Sequence, residues 1–458
     1  MKRISILLLT LLTTFSTMAQ IPNSLTPADK VYGLSKFWEE VNYNFIYLDK
    51  VDKVKWDSTY KALITIVQKT ENDYQYYREL QKFAAFLKDG HTNVFFPQSI
   101  DTLLYQSSFG AYKLYLTNID NKIIVQGINK SKKDELPVGS EIIEVNGLQT
   151  QEYINKFVAP YISSSTDYVK KDYTAWQLLT GLVGEKYKIK IKTPKGEMKE
   201  FSLTHEIAIE KEMYPPFEND QMLNFKWYDN NIAYVALNNF NDPKIDTLFI
   251  QKLPELYKAK ALIIDLRNNG GGNNHVGIEI FKYLTSDSLL HGARQKSRLH
   301  IPAYKAWGAS IEPKDTISDA DAKKFYLAFH DQYYYKFDYE PDTIKLNAKR
   351  ITVPTVILIG HRTASAAEDF LIFCDNQKHM IKIGENSFGS TGMPYSFELP
   401  GGGSARVCTK QDTYPDGREF VGYGVKPDIE IKPTIADYLQ KKDPVITKAL
   451  EYLKTKTK

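Results

Sequence analysis

Cysteine is nearly missing from this chain: Cys374 and Cys408 are the only two among 458 residues. Neither sits in a CxxC pair or beside clustered histidines, and the eight histidines are scattered singly, which argues against a zinc site. Cys374 falls in an apolar helical stretch and Cys408 in an expected strand, so free thiols and one disulfide both remain open. Charge of one sign is also scarce. The formal net charge is +4, and about +2 once Lys2 and Arg3 are set aside, which excludes nucleic acid as the main partner. Phosphate-loop patterns are absent, with no GxxxxGK[ST] and no GxGxxG. After the N-terminus no apolar run reaches the roughly 18 residues that suggest a membrane-spanning helix. Internal repeats and low-complexity tracts are lacking too.

Aromatic residues are plentiful instead, with 31 Tyr and 23 Phe. Lys2-Arg3, the apolar stretch Ile4 to Leu12 and the small residues Thr17-Met18-Ala19 read as a signal peptide over 1–19, cleaved before Gln20. No cysteine follows that stretch, so a lipid anchor is not expected. The mature protein is thus expected to be exported, periplasmic or extracellular, without an integral membrane segment. Apolar periodicity predicts a helical N-terminal domain over 20–104, with Gly90 as a helix stop. Short strands and turns fill 105–210, among them the alternating Tyr187 to Ile191 and the Asn146-Gly147 turn. From 211 to 440 buried strands alternate with helices, which predicts an α/β core; 286–347 reads as an insertion or lid, and 441–458 as a C-terminal helix.

Within that core, Val353 to Gly360 is a buried strand that delivers Thr363-Ala364-Ser365-Ala366-Ala367-Glu368 to its end, just before a helix. Small neighbours allow a substrate backbone to approach Ser365, and a helix N-terminus favours charge on an acyl oxygen. A plain packing turn would look the same in isolation. A second strand, Ala261 to Leu266, leads into Asn269-Gly270-Gly271-Gly272, at the edge where open α/β sheets bind ligands. Consecutive glycines can aim backbone N–H groups into a cleft. An oxyanion hole built from Gly270 or Gly271 together with Ala366 is the use that fits.

Four motifs occur in order: Asp265 to Gly271, Thr363 to Glu368, Gly384-Glu385-Asn386-Ser387-Phe388-Gly389, and Gly424-Val425-Lys426-Pro427-Asp428. Together they resemble the signatures of the tail-specific (C-terminal-processing) serine peptidases. Leu136 to Gly147 resembles the core of a PDZ domain, a module that binds peptide termini by strand addition. The resemblance implies a ClpP/crotonase-like core with a helical N-terminal domain and a β-rich PDZ-like domain. It also implies a protein or peptide substrate, with no metal and no organic cofactor.

The best-known branch of that family uses a lysine in an FGKG motif, but here the motif reads Phe388-Gly389-Ser390, and a serine cannot act as a base near neutral pH. Asp89-Gly90-His91-Thr92 is similar to the DGHT motif of the tricorn-like and retinoid-binding-protein-like branch, which makes His91 the expected base. That branch orients its histidine with a glutamate before the final GVxPD; the matching position holds Val421, so Glu419, two residues earlier, is the expected substitute. Asp89, Ser390 and Glu368 are further supporting candidates. The resulting expectation is an exported serine endopeptidase. Its rivals are a catalytically silent relative that binds apolar ligands or peptides, and an acyl-CoA enzyme on the same fold.

Overall fold

The computed structural model describes residues 21–216 and 221–457. The expected signal peptide, 1–19, lies outside the described residues. The helices Pro27–Asn44, Lys53–Gln68 and Asp73–Ala85 each begin at a polar cap: Thr26 accepts from Asp29 N, Asp52 from Lys55 N, and Asn72 from Gln75 N. Their apolar stripes meet in a core of Phe37, Trp56, Tyr76, Tyr77, Leu80 and Phe83, with Trp56 stacked on Phe83 at 3.9 Å. This core is not closed by the helices alone. Phe397, Leu399, Ala405 and Val407 complete it from more than 300 residues downstream. The strand Asn93–Phe95, read from sequence as part of the helical domain, pairs antiparallel with Ser404–Cys408, which in turn pairs with Pro394–Glu398.

The β-rich module is an antiparallel sheet in the order Met198–Thr204, Lys186–Lys192, Glu141–Val145, Lys122–Asn129, Tyr112–Ile119, Ser108–Phe109. Asn146 and Gly147 both take positive φ (51° and 80°) in the two-residue loop joining Val145 to its partner Leu148, the geometry Asn-Gly favours in a hairpin. The helix Asp167–Trp176 packs on Tyr112–Ile119 and turns its other face toward the core.

The core is a six-stranded sheet in the order Leu223–Tyr228, Ile232–Leu237, Ala261–Asp265, Thr355–Ile359, Met380–Gly384, Ile429–Glu430; all pairs after the first are parallel. Its three central strands are buried at every residue, as a sheet covered on both faces requires. Period-two alternation divides them. Ala233, Val235, Leu262, Ile264, Ile357 and Ile359 pack with the helices Lys244–Leu256, Asn274–Phe281 and Ala366–Cys374. Ile232, Ala261, Ile263, Val356 and Leu358 meet Val445, Ala449 and Leu453 of the C-terminal helix Pro444–Lys456. The carboxyl ends of the parallel strands therefore lie together, and the two loops carrying the glycine turn and Ser365 emerge side by side.

The weakly periodic stretch 286–347 contains the helices Pro302–Gly308 and Ala320–Phe329, and its strand Arg294–Arg298 pairs with Lys410–Thr413. Both cysteines are free and buried. Among the described residues no helix is long and apolar enough to cross a membrane.

Tyr77 fastens the helices to the 394–408 hairpin: its hydroxyl donates to Pro400 O (2.6 Å) and accepts from Gly403 N (3.1 Å). Tyr77→Phe strands both groups in a buried joint and is expected to lower unfolding free energy by about 1–3 kcal/mol in urea titrations. An unchanged midpoint would show that the joint carries no load.

Candidate active site

Ser365 sits between the strand Thr355–Ile359 and the helix Ala366–Cys374 with φ 54° and ψ −123°. A residue with a Cβ adopts such a backbone at a cost of about 1–3 kcal/mol and needs surroundings that impose it. Thr363 supplies part of this by donating its hydroxyl to Leu266 O (2.9 Å) and accepting from Gly360 N (3.1 Å). Ala364 N donates to Asn269 O at 3.0 Å, which locks the serine loop to the glycine turn. Gly271 lies against that lock: a Cβ there would stand 2.6 Å from Ala364 O and 2.7 Å from Ser365 Cβ, and its φ is +92°.

The glycine turn contributes differently from the sequence expectation. Asn269, fully buried, donates from Nδ2 to Leu237 O (2.9 Å) and accepts from Gly271 N at Oδ1 (2.9 Å). The Gly271 amide is thereby occupied inside the turn, which removes it from the expected set of oxyanion donors. The Gly270 and Ala366 amides have no acceptor among the described residues, the latter as expected for the first residue of a helix.

Behind the serine lies Glu368, completely buried on the first turn of the helix. Its Oε1 accepts from Ser387 Oγ (2.6 Å) and Gly389 N (2.7 Å), and its Oε2 from Ser365 N (3.1 Å) and Ser390 N (3.3 Å). Burial pushes its pKa up to about 8 despite these donors, which favour the charged form. Ser387 extends the network, since its hydroxyl also accepts from Val425 N (2.6 Å) in the Gly424 to Asp428 motif.

Ser390 stands in the loop so fixed, and its Oγ is 2.7 Å from His91 Nδ1 and 3.5 Å from Asp89 Oδ1. Gly90 makes this approach feasible, because a Cβ on it would meet Phe388 Cε1 at 2.7 Å and Ser390 Oγ at 3.1 Å. Asp89 is buried and accepts from Thr92 Oγ1 (2.7 Å) and Ser165 Oγ (3.3 Å), and burial raises its pKa. His91 is driven the other way. Burial, then the positive charges of Arg406 and Lys410, lower its pKa to about 4, so the ring is neutral near pH 7.

Ser365 and His91 line one cleft of about 1230 Å³, along with Gly270. Among the described residues no hydrogen bond joins the two side chains. Glu419 lies elsewhere: its carboxylate accepts from Gln411 Nε2 (2.9 Å), pairs with Lys50 (3.4 Å) and is 45% exposed. The expectation that it orients His91 is corrected on a simple ground. Residue 419 lies in an irregular loop and not on a strand, so counting two residues back from Val421 does not conserve direction. Ser390 makes the contact to Nδ1 in its place.

Several cleft residues escaped the sequence reading. Asp369 is buried and accepts from Asn274 Nδ2 (2.6 Å), and Lys410 lies 2.9 Å from the buried Asp412. His361, four residues before the serine, bonds through Nδ1 to Asp172 of the β-rich module (2.7 Å) and stacks on Tyr168. Burial opposes its protonation, but Asp172 and Glu385 outweigh it and raise its pKa. Arg406 falls in a stretch whose sequence reads simply as a β-hairpin.

Residues 231–431 match the model of peptidase family S41. A carboxyl-terminal-processing protease of Picosynechococcus sp. is 24% identical over 205 residues, 44% of this chain and 39% of that protein. The carboxy-terminal processing protease CtpA of Bacillus subtilis is 25% identical over 213 residues, 46% of this chain and 36% of that protein. The aligned stretch thus spans under two-fifths of the length of these curated relatives. In three dimensions the mixed α/β fold is similar to mature CPAF complexed with lactacystin, with a TM-score of 0.68 and 14% identity over 94% of this chain and 100% of that one. The glycine turn, Ser365, Glu368 and Ser390 all lie within the stretch that matches the peptidase family S41 model.

Proposed function

We propose that the protein is an exported serine endopeptidase that hydrolyses peptide bonds of protein substrates, with Ser365 as nucleophile and His91 as base. The observation that carries this reading is a strained serine sharing one cleft with a neutral, partly buried imidazole. Ser365 Oγ attacks the scissile carbonyl while His91 Nε2 takes its proton, and the amides of Gly270 and Ala366 receive the oxyanion. His91 then protonates the leaving amine, and water, activated by the same ring, releases the acyl group. In the tautomer required for this, Nδ1–H donates to Ser390 Oγ, whose own hydrogen points toward Asp89. Glu368 acts at one remove, as a positioning residue. The finer architecture belongs to the same proposal: a ClpP/crotonase-like core, with a PDZ-like module that holds or gates the unstructured end of a substrate.

A silent peptide-binding relative is the second reading, favoured by the lack of a hydrogen bond between Ser365 and His91. Covalent labelling with a fluorophosphonate separates the two. Labelling of the natural protein that is lost in Ser365→Ala supports the peptidase, and no labelling of folded protein overturns it. His91→Ala is expected to cut kcat/KM by on the order of 1000-fold or more while leaving the thermal midpoint nearly unchanged; turnover within tenfold of the natural protein would remove His91 from the role of base.

The pH profile offers an independent check. A base with its pKa lowered to about 4 remains unprotonated through pH 5, where an ordinary histidine is mostly cationic. The acid limb of kcat/KM is therefore expected near pH 4, and a limb at 6.5 or above would contradict the partly buried, cation-flanked setting of the ring.

A further inference from the structure

The cleft that holds Ser365 does not end at His91. A second cleft of about 1070 Å³ runs between the helical part and the β-rich module. Gly90, Tyr173, Trp176 and Arg406 line both, so the two adjoin at these residues. The walls of the second are aromatic. Tyr74 comes from the helical side and Tyr153, Phe157 and Tyr161 from the other, with Arg78 laid over the Tyr161 ring at 3.5 Å.

Arg406 stands where the clefts meet, on the strand Ser404–Cys408. Its Nε and Nη2 donate to Asn93 Oδ1 (3.1 and 2.8 Å), Nη2 also reaches Gly90 O (3.5 Å), and the guanidinium lies 5.5 Å from the Phe95 ring centre. All of these partners are neutral. Among the described residues no carboxylate lies within ion-pair distance of Arg406, whereas Lys410 across the cleft is paired with Asp412. Asp89, the anion that acts on Arg406, is itself buried and hydrogen-bonded to Thr92 and Ser165. A partly buried cation without a counter-ion is costly to keep. The neutral acceptors fix two of its nitrogens and leave Nη1 free, as a planar group prepared for a carboxylate would be.

We propose that the two clefts form one groove for an extended polypeptide, and that Arg406 at the junction selects a substrate carboxylate on one side of the scissile bond. This rests on the peptidase reading and adds a substrate class to it: chains with an acidic residue, or an end, at the position that reaches the junction. The shared boundary with the Ser365 cleft, an unmatched charge and aromatic walls suited to side chains of any sequence converge on this occupant.

The test uses the full-length Ser365→Ala protein, so that binding is read without turnover. Labelled neutral peptides long enough to fill both clefts, with one Glu, Gln or Lys moved along the sequence and the C-terminus free or amidated, are titrated by fluorescence anisotropy. At one position Glu is expected to bind about tenfold tighter than Gln. Arg406→Gln should erase that difference, Arg406→Lys should retain most of it, and Arg406→Glu should transfer the preference to Lys. If the free terminus against its amide gives the Arg406-dependent difference, the carboxylate is the chain end and the proposal stands. Equal binding of Glu and Gln at every position with no effect of amidation, or a preference that survives Arg406→Gln, overturns it. In the active protein the same ratio should appear in KM and not in kcat. Arg406-dependent binding without fluorophosphonate labelling would refute the peptidase reading and leave the selective groove intact.

Discussion

The carboxylate of Glu368 receives hydrogens from four groups on two separate loops, and it does so where no water reaches it. An isolated carboxylate would be expelled from such a place or neutralised, so the four donors and the acid require one another. One donor is the amide of Ser365, held in an unfavourable backbone conformation; two others belong to Gly389 and Ser390. Ser365 and the loop that contacts His91 are thus anchored to the same two oxygens. Ser387 couples the far side to Val425, which brings three of the four motifs noticed in the sequence into one hydrogen-bonded unit.

The imidazole depends on that unit while belonging to another part of the chain. His91 and Ser390 are 299 residues apart, and the contact exists because Asn93–Phe95 adds to the 394–408 hairpin while Phe397, Leu399, Ala405 and Val407 complete the helical core. A small apolar interface therefore decides whether His91 faces the cleft. Gly90 carries the tightest part of that approach, with no space for even one additional carbon.

The features legible in the sequence were those coded locally. Continuous apolar runs along Ile232–Leu237, Ala261–Asp265 and Thr355–Ile359 marked buried strands of an α/β core, and the turns after the second and third flagged Gly270 and Ser365. His91 stood out because Ser390 leaves the lysine position without a base. What escaped depended on side chains folding back. Asn269 turns inward and occupies the Gly271 amide, which no spacing reveals. Glu419 was placed by strand arithmetic in a segment that is a loop. The 286–347 segment read as an insertion or lid without regular elements of its own, yet its strand Arg294–Arg298 gains order by pairing with Lys410–Thr413. Arg406 drew no notice because a hairpin pattern does not show what lies opposite it.

The shared core between the first helices and the 394–408 hairpin has a temporal consequence. During synthesis His91 emerges early, but the strand on which its neighbour Asn93 rests and the serine its ring touches are made near the end. Until then the aromatic faces of Phe37 and Phe83 lack part of their cover and the imidazole has no fixed direction. A nascent or truncated chain would hold both Ser365 and His91 and still lack the cleft they share. The long detour between them works as a timer, in which the cleft is completed only in a molecule that has finished folding.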